Sequence, residues 1–164
     1  MPLTSTQIGA LAENLIANEL MIESEGRLSP FQPIADDDGI DVLIHDKVTG
    51  KSAPLQIKAR TNTLNKPGTH VRGNLVHFEI RKSTFRAERF SHLLGVLLDE
   101  NLRKTIRAWL IPLVELEKIA RNGKDKYVIR ANLRTTSKDK YEKYRCDSIK
   151  VVVERLISHF EESA

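Results

Sequence analysis

One cysteine, Cys146, among 164 residues leaves no partner for an internal disulfide and too few thiolates for a four-cysteine zinc site, which fits a reducing compartment. The start, MPLTSTQIG, has neither the basic stretch nor the apolar core of a secretory signal. The longest apolar runs, LLGVLL and AWLIPLV, are far too short to span a bilayer. These absences lead to the expectation of a cytoplasmic protein with no membrane partner. No phosphate-binding Gly-Lys loop, dinucleotide-binding glycine pattern or nucleophile-elbow sequence occurs, so nucleotide-driven work, redox chemistry and Ser/Cys hydrolysis lack support. His45, His92 and His159 show no metal-ligand spacing. Internal repeats and low-complexity tracts are likewise missing.

What is present is an ordinary globular composition, 40% hydrophobic and 29% charged, in a chain the length of one domain. One domain over residues 1–164 is the expectation. Basic residues are nearly missing from the first 50 positions, where 2 face 9 acidic ones, whereas residues 101–150 hold 14 basic and 6 acidic. The formal net charge of +4 conceals this polarity. Such segregation suits either a cation-binding pole beside a phosphate-binding pole or merely solvated faces.

Residues 4–26 read as a helix, with Ile8, Leu11, Ala12, Leu15 and Ile16 as its apolar stripe, Thr4 and Gln7 as a capping box and Gly26 as the stop. RLSPFQPI is extended but interrupted by Pro30 and Pro33, as an edge strand would be. Residues 40–45 and 53–60 are strand-like and flank a turn at Gly50, so they pair as an antiparallel hairpin. A polar loop over residues 61–74 precedes a third strand, LVHFEIRK, and a short helix, STFRAER. HLLGVLLDE and TIRAWLIP are apolar enough to be central strands. LVELEKIAR is helical, KYVIRAN a strand, and the chain closes with an amphipathic helix that turns Ile149, Val152, Val153, Leu156, Ile157 and Phe160 inward. The order predicts an α/β (α+β) layer, one central mixed β-sheet flanked by helices.

Period two in the hairpin places Gln56, Lys58 and Arg60 on one strand face, and Asp41, Leu43 and His45 on one face of its partner. If those polar ends converge, Asp41 lies beside Gln56 and Lys58. Two like charges ~4 Å apart repel by about 4 kcal/mol at an effective dielectric of 20, and a divalent cation reverses that sign. Hard cations such as Mg2+ take one or two carboxylates and leave room for water and a substrate phosphate, which makes Asp41 the natural first ligand. Lys58 would hold or deprotonate an attacking water and offset charge growing on phosphate. Asp36, Asp37 and Asp38 before Gly39 read as a solvated turn, with Asp38 the one near enough in sequence to support the site.

Asp41, a hairpin, then Gln56-Ile57-Lys58 resembles the PD-(D/E)XK nuclease superfamily, whose fold is restriction-endonuclease-like. The opening helix adds Gly9 to Glu13, similar to the G-x-x-x-E pattern of archaeal Holliday-junction resolvases and Mrr-like nucleases. DGIDVLI followed by LQIKAR also resembles a bacterial branch carrying Q-x-K, and the similarity covers roughly residues 7–60. The resemblance implies Glu13 and Asp41 as metal ligands, the Ile57 carbonyl as a backbone ligand and Lys58 as the catalytic lysine, with Mg2+ (or Mn2+) as cofactor. Two departures stand out. Ile40 replaces a proline that supplies no ligand; Gln56 replaces a glutamate, so its amide oxygen can coordinate but contributes no charge. Glu13 must then carry more of the balance, and Glu19 competes for that role; motif spacing selects Glu13.

Residues 121–145 hold 9 basic and 3 acidic side chains, with Tyr127, Tyr141 and Tyr144 interleaved. Arg121, Lys124, Lys126, Arg130 and Arg134 suit a phosphate backbone, with Arg60 at the hairpin and Lys66, His70 and Arg72 in the loop as further contacts. The tyrosines are read as packing residues rather than stacking platforms. His77 and Glu79 share a strand face that either lines the same cleft or faces solvent. The function these features imply is metal-dependent hydrolysis of DNA, duplex or branched, by a chain that acts as a homodimer if both strands are cut. The alternative is a non-catalytic nucleic-acid- or partner-binding module that keeps the fold, and neutral Gln56 is the residue that favours it.

Overall fold

The computed structural model describes residues 1–35, 38–89 and 91–163. Asp36 and Asp37, two of the three acidic residues before Gly39, lie outside the described residues. Helix α1 (Ser5–Glu23) opens with the expected capping box: Thr4 Oγ1 accepts from Gln7 N, and Gln7 Oε1 accepts from Thr4 N. Its buried stripe is Ala12, Ile16, Ala17 and Leu20, whereas Leu11 is largely exposed. The stripe is therefore rotated toward the C-terminal half relative to the sequence reading. Beyond the Ser24 cap, Glu25 at φ +52° and Gly26 at φ +79° both take the left-handed conformation, and Gly26 N closes the helix end on Met21 O at 2.9 Å.

Strand β1 (Leu28–Phe31) is an edge strand, as its proline requires. It pairs antiparallel with β2 (Val42–Asp46), which forms the expected hairpin with β3 (Ser52–Arg60), Val42 standing opposite Leu55. β3 then pairs in parallel with β5 (His92–Leu98), and β5 continues antiparallel to β6 (Thr105–Pro112) and on to the two-residue β9 (Arg145–Cys146). The six-stranded order is β1-β2-β3-β5-β6-β9. Parallel neighbours need a crossover, and here it is the whole of residues 61–91.

That crossover holds the main departure from the expected single sheet. Strand β4 (Leu75–Arg81) leaves the central sheet and pairs with β8 (Lys126–Asn132), which pairs with β7 (Arg121–Asn122), so a three-stranded antiparallel sheet forms a second layer. Period two assigns the faces. In β5, Leu94, Val96 and Leu98 join the core beneath α1 and the last helix, α3 (Ile149–Glu162). Leu93 and Leu97 join a second core with Val76, Phe78 and Ile80 of β4, Trp109 of β6 and Leu113 and Leu116 of α2 (Leu113–Ile119). Every residue of β5 is buried, because both its faces are covered. Gly95 makes the second layer fit: a Cβ there would stand 2.9 Å from the Phe78 ring.

The basic segment 121–145 does not act as one patch. Tyr141 and Tyr144 are buried in the second core, and Tyr127 packs its ring 4.8 Å from Phe85, which agrees with reading them as packing residues. Arg145 is buried, held by the carbonyls of Asn132 and Ser137 and by Asp139 at 2.9 Å. No helix among the described residues is long and apolar enough to cross a membrane.

Candidate active site

Gly39 sets the approach to the site. Its φ of +70° excludes most side chains, and a Cβ would stand 2.7 Å from Thr84. The segment before β2 therefore lies against the turn after β4. Two residues on, Asp41 N donates to Leu55 O at 3.0 Å, while Asp41 Oδ2 accepts from Ile57 N at 2.6 Å. A side-chain carboxylate thus takes up a main-chain N–H at the point where β2 begins. In an extended strand the N–H and C=O of one residue project to the same neighbour. The Ile57 carbonyl accordingly points from the edge at which Asp41 sits.

Alternation along β3 turns Ala53, Leu55 and Ile57 into the core beneath α1 and leaves Gln56, Lys58 and Arg60 on the opposite face. There a cleft of about 780 Å³ is lined by Asp41, Gln56, Lys58 and Arg60 together with Glu79, Arg81, Lys126 and the first-turn residues Ser5 and Thr6. Gln56 is only 6% exposed, and among the described residues its Oε1 is buried without a hydrogen-bond partner. An acceptor left so costs about 1–3 kcal/mol unless something positive or protic meets it. The Asp41 carboxylate, the Gln56 amide oxygen and the Ile57 carbonyl are oxygen donors of the kind hard cations prefer, so these residue types fit a divalent metal.

Glu13 stands apart from this lining. α1 packs on the other face of the central sheet, and only its first turn reaches the cleft. Glu13 is half-buried about 10 Å further along the helix axis than Thr6, on the same side of the helix. Glu19 points elsewhere: it accepts from Thr105 Oγ1 at 3.1 Å, and burial raises its carboxyl above the ordinary range. Asp38 pairs with Arg89. Among the described residues, no group of three His, Cys, Asp or Glu side chains is placed to hold a metal; the donor set above depends on an amide and a main-chain carbonyl.

The far wall is supplied by the second sheet. Glu79 accepts from Lys126 Nζ at 2.7 Å and pairs with His77 Nε2 at 2.9 Å. Lys126 foremost, then His77, pulls the Glu79 carboxyl down to about 2. Of the residues predicted to meet phosphate, Arg60 and Lys126 line the cleft, whereas Lys66 and Arg72 are exposed in the loop after β3. Arg121, Lys124, Arg130 and Arg134 are exposed on or beside the second sheet and do not line the cleft. Sequence reasoning missed Arg81, Ser5, Thr6 and Thr84. Arg81 was within reach, since it continues the His77, Glu79 alternation of β4; the others are brought in by the fold alone.

No family model matches the chain, and no curated protein sequence does. Its structure is similar to that of a bacterial homing endonuclease, I-Ssp6803I, at a TM-score of 0.58 and 16% identity, covering 98% of this chain and 96% of that one. A looser alignment, at a TM-score of 0.44 and 9% identity, relates 82% of the chain to 97% of Hjc, a Holliday junction resolvase from Archaeoglobus fulgidus. By the arrangement of its strands and helices, the chain has a restriction-endonuclease-like fold.

Proposed function

We propose that the chain is a metal-dependent endonuclease that hydrolyses phosphodiester bonds in DNA. One observation carries the reading: Asp41, Gln56 and Lys58 line one cleft, and among the described residues Gln56 Oε1 is a buried acceptor with no hydrogen-bond partner. A Mg2+ or Mn2+ ion bound to Asp41, Gln56 Oε1 and the Ile57 carbonyl would supply Lewis acidity toward phosphate and water. Lys58 holds the attacking water by donating to its oxygen, and its ammonium offsets charge that grows on the phosphate. Arg60 and Arg81 hold the flanking phosphates. Lys126 is tied to Glu79, which braces the far wall of the cleft. Four cationic side chains against two anionic ones among these lining residues favour a polyanionic substrate.

Glu13 enters as an outer carboxylate. With Gln56 neutral, Asp41 alone leaves a divalent ion one negative charge short, and Glu13 is the half-buried acid on the helix side that Thr6 continues into the cleft. One such cleft per chain makes a double-strand cut the work of two chains. The test is nicking of supercoiled and linear DNA with Mg2+ or Mn2+. Cleavage that is lost in Lys58→Ala supports the reading; intact DNA across duplex, branched and single-stranded substrates defeats it.

A second reading is favoured by the same Gln56. If the lost charge has ended metal binding, the chain is a nucleic-acid-binding module. Calorimetry with Mn2+ separates the two: metal uptake supports the enzyme, and salt-dependent DNA binding without uptake supports the module.

A further inference from the structure

We propose that residues 61–74 are a base-reading ribbon that enters the major groove of duplex DNA, so that cleavage is selective for sequence; this rests on the nuclease reading of the cleft. The segment read as a loop from sequence is an ordered hairpin. Leu64 N donates to Leu75 O at 2.7 Å, Gly73 N to Leu64 O at 2.8 Å and Lys66 N to Val71 O at 2.8 Å, and Asn65 bridges Arg72. Thr69 N closes the tip on Lys66 O at 3.1 Å, with Gly68 at φ +70°. The tip is thus held by its own main chain, without support from either core.

Its position gives it a role. The incoming leg continues β3, which delivers Lys58 and Arg60 to the cleft, and the outgoing leg leads into β4, which delivers Glu79 and Arg81. The ribbon is therefore a covalent extension of both walls beyond the place proposed for the scissile phosphate. From Lys58 to Lys66 an extended chain reaches at most about 27 Å, or about eight base pairs of B-DNA.

The exposed side chains suit base edges better than phosphates alone. Asn65, Lys66, His70 and Val71 are all exposed, Val71 at 58%. An amide can pair with both edge atoms of adenine, and a branched aliphatic group can contact the thymine methyl. A two-stranded ribbon fits the major groove of B-DNA, whereas that of A-form RNA is too narrow and deep. At the ribbon's base, Asp99 and Glu100 share a hollow with Asn62 and Arg72. Those carboxylates repel phosphate, so the tip rather than the base is the reading part.

The experiment is cleavage of a randomised duplex library with Mn2+, with the cut ends sequenced, by the parent chain and by Asn65→Ala/His70→Ala; His70→Gln serves as a milder second variant, and thermal melting checks folding. The parent is expected to show preferred base pairs within about eight positions of the cut, and the double variant to lose that preference by about tenfold or more, whatever its overall rate. Cutting by the parent without preference, or an unchanged preference in both variants, overturns the ribbon's role while leaving the nuclease standing. A parent that cuts no DNA defeats the nuclease reading and this inference with it.

Discussion

The carboxylate of Asp41 accepts the main-chain N–H of Ile57 at 2.6 Å. The bond holds the acid against β3 and leaves the Ile57 carbonyl on the same edge. It also predicts a separation of fold from function. Asp41→Asn keeps an oxygen for the Ile57 N–H but removes the charge, so it should melt within a few degrees of the parent and cleave DNA at least about a hundredfold more slowly. Asp41→Ala should in addition lose about 1–3 kcal/mol of stability, because it leaves that N–H without its acceptor. Denaturant titrations beside a nicking assay check both.

Gln56→Leu should part stability from activity in the opposite direction. Removing an unpartnered buried acceptor should raise stability by about 1 kcal/mol in metal-free buffer. The same change should abolish Mn2+ uptake. Gln56→Glu should instead tighten Mn2+ by about tenfold by restoring a formal charge. Calorimetry on the three proteins gives the comparison.

The stacking of the second sheet depends on Gly95 beneath Phe78. Gly95→Ala forces a methyl to within 2.9 Å of the ring and should cost about 1–3 kcal/mol. Phe78→Leu in the same chain should recover part of that loss, a non-additivity that urea unfolding of the double-mutant cycle measures.

Acid should unfold the protein partly through Asp46. Its fully buried carboxylate accepts Arg27 Nε at 2.8 Å and Nη2 at 3.0 Å, with Thr49 Oγ1 at 2.8 Å and Val48 N at 3.1 Å. Arg27 above all holds it well below the usual carboxylate range. A depressed folded pKa gives stability that is complete above the unfolded value near 3.8 and is lost as pH falls through the folded one. Melting temperature should therefore drop steeply below about pH 4. Asp46→Ala should cost on the order of 3 kcal/mol at pH 7 and show a shallower acid limb.

The hairpin and the shared face of its polar residues were legible because both signals are local. Period two puts Gln56, Lys58 and Arg60 on one face wherever the strand goes, and Gly50 at φ +73° makes the turn. The second sheet was not legible. β4 alternates as any half-buried strand does, and its choice of β8 over the central sheet depends on contacts such as Phe78 with Trp109, 5.8 Å apart between ring centroids. Within the basic run from 121 to 145, burial of Arg145 by Asp139 and two carbonyls is a long-range outcome that charge counting cannot see. Glu13 shows what motif spacing leaves open: where its helix sits against the sheet is fixed by Ala12, Ile16 and Leu20, not by the motif.

The proposed nuclease requires one divalent ion between Asp41, Gln56 and Ile57. Crystals soaked in Mn2+ and measured for anomalous scattering test it directly. The expected result is a peak about 2.1 Å from the Asp41 carboxylate, within coordinating reach of Gln56 Oε1 and the Ile57 carbonyl. A peak lodged elsewhere, or none at saturating Mn2+, would contradict it.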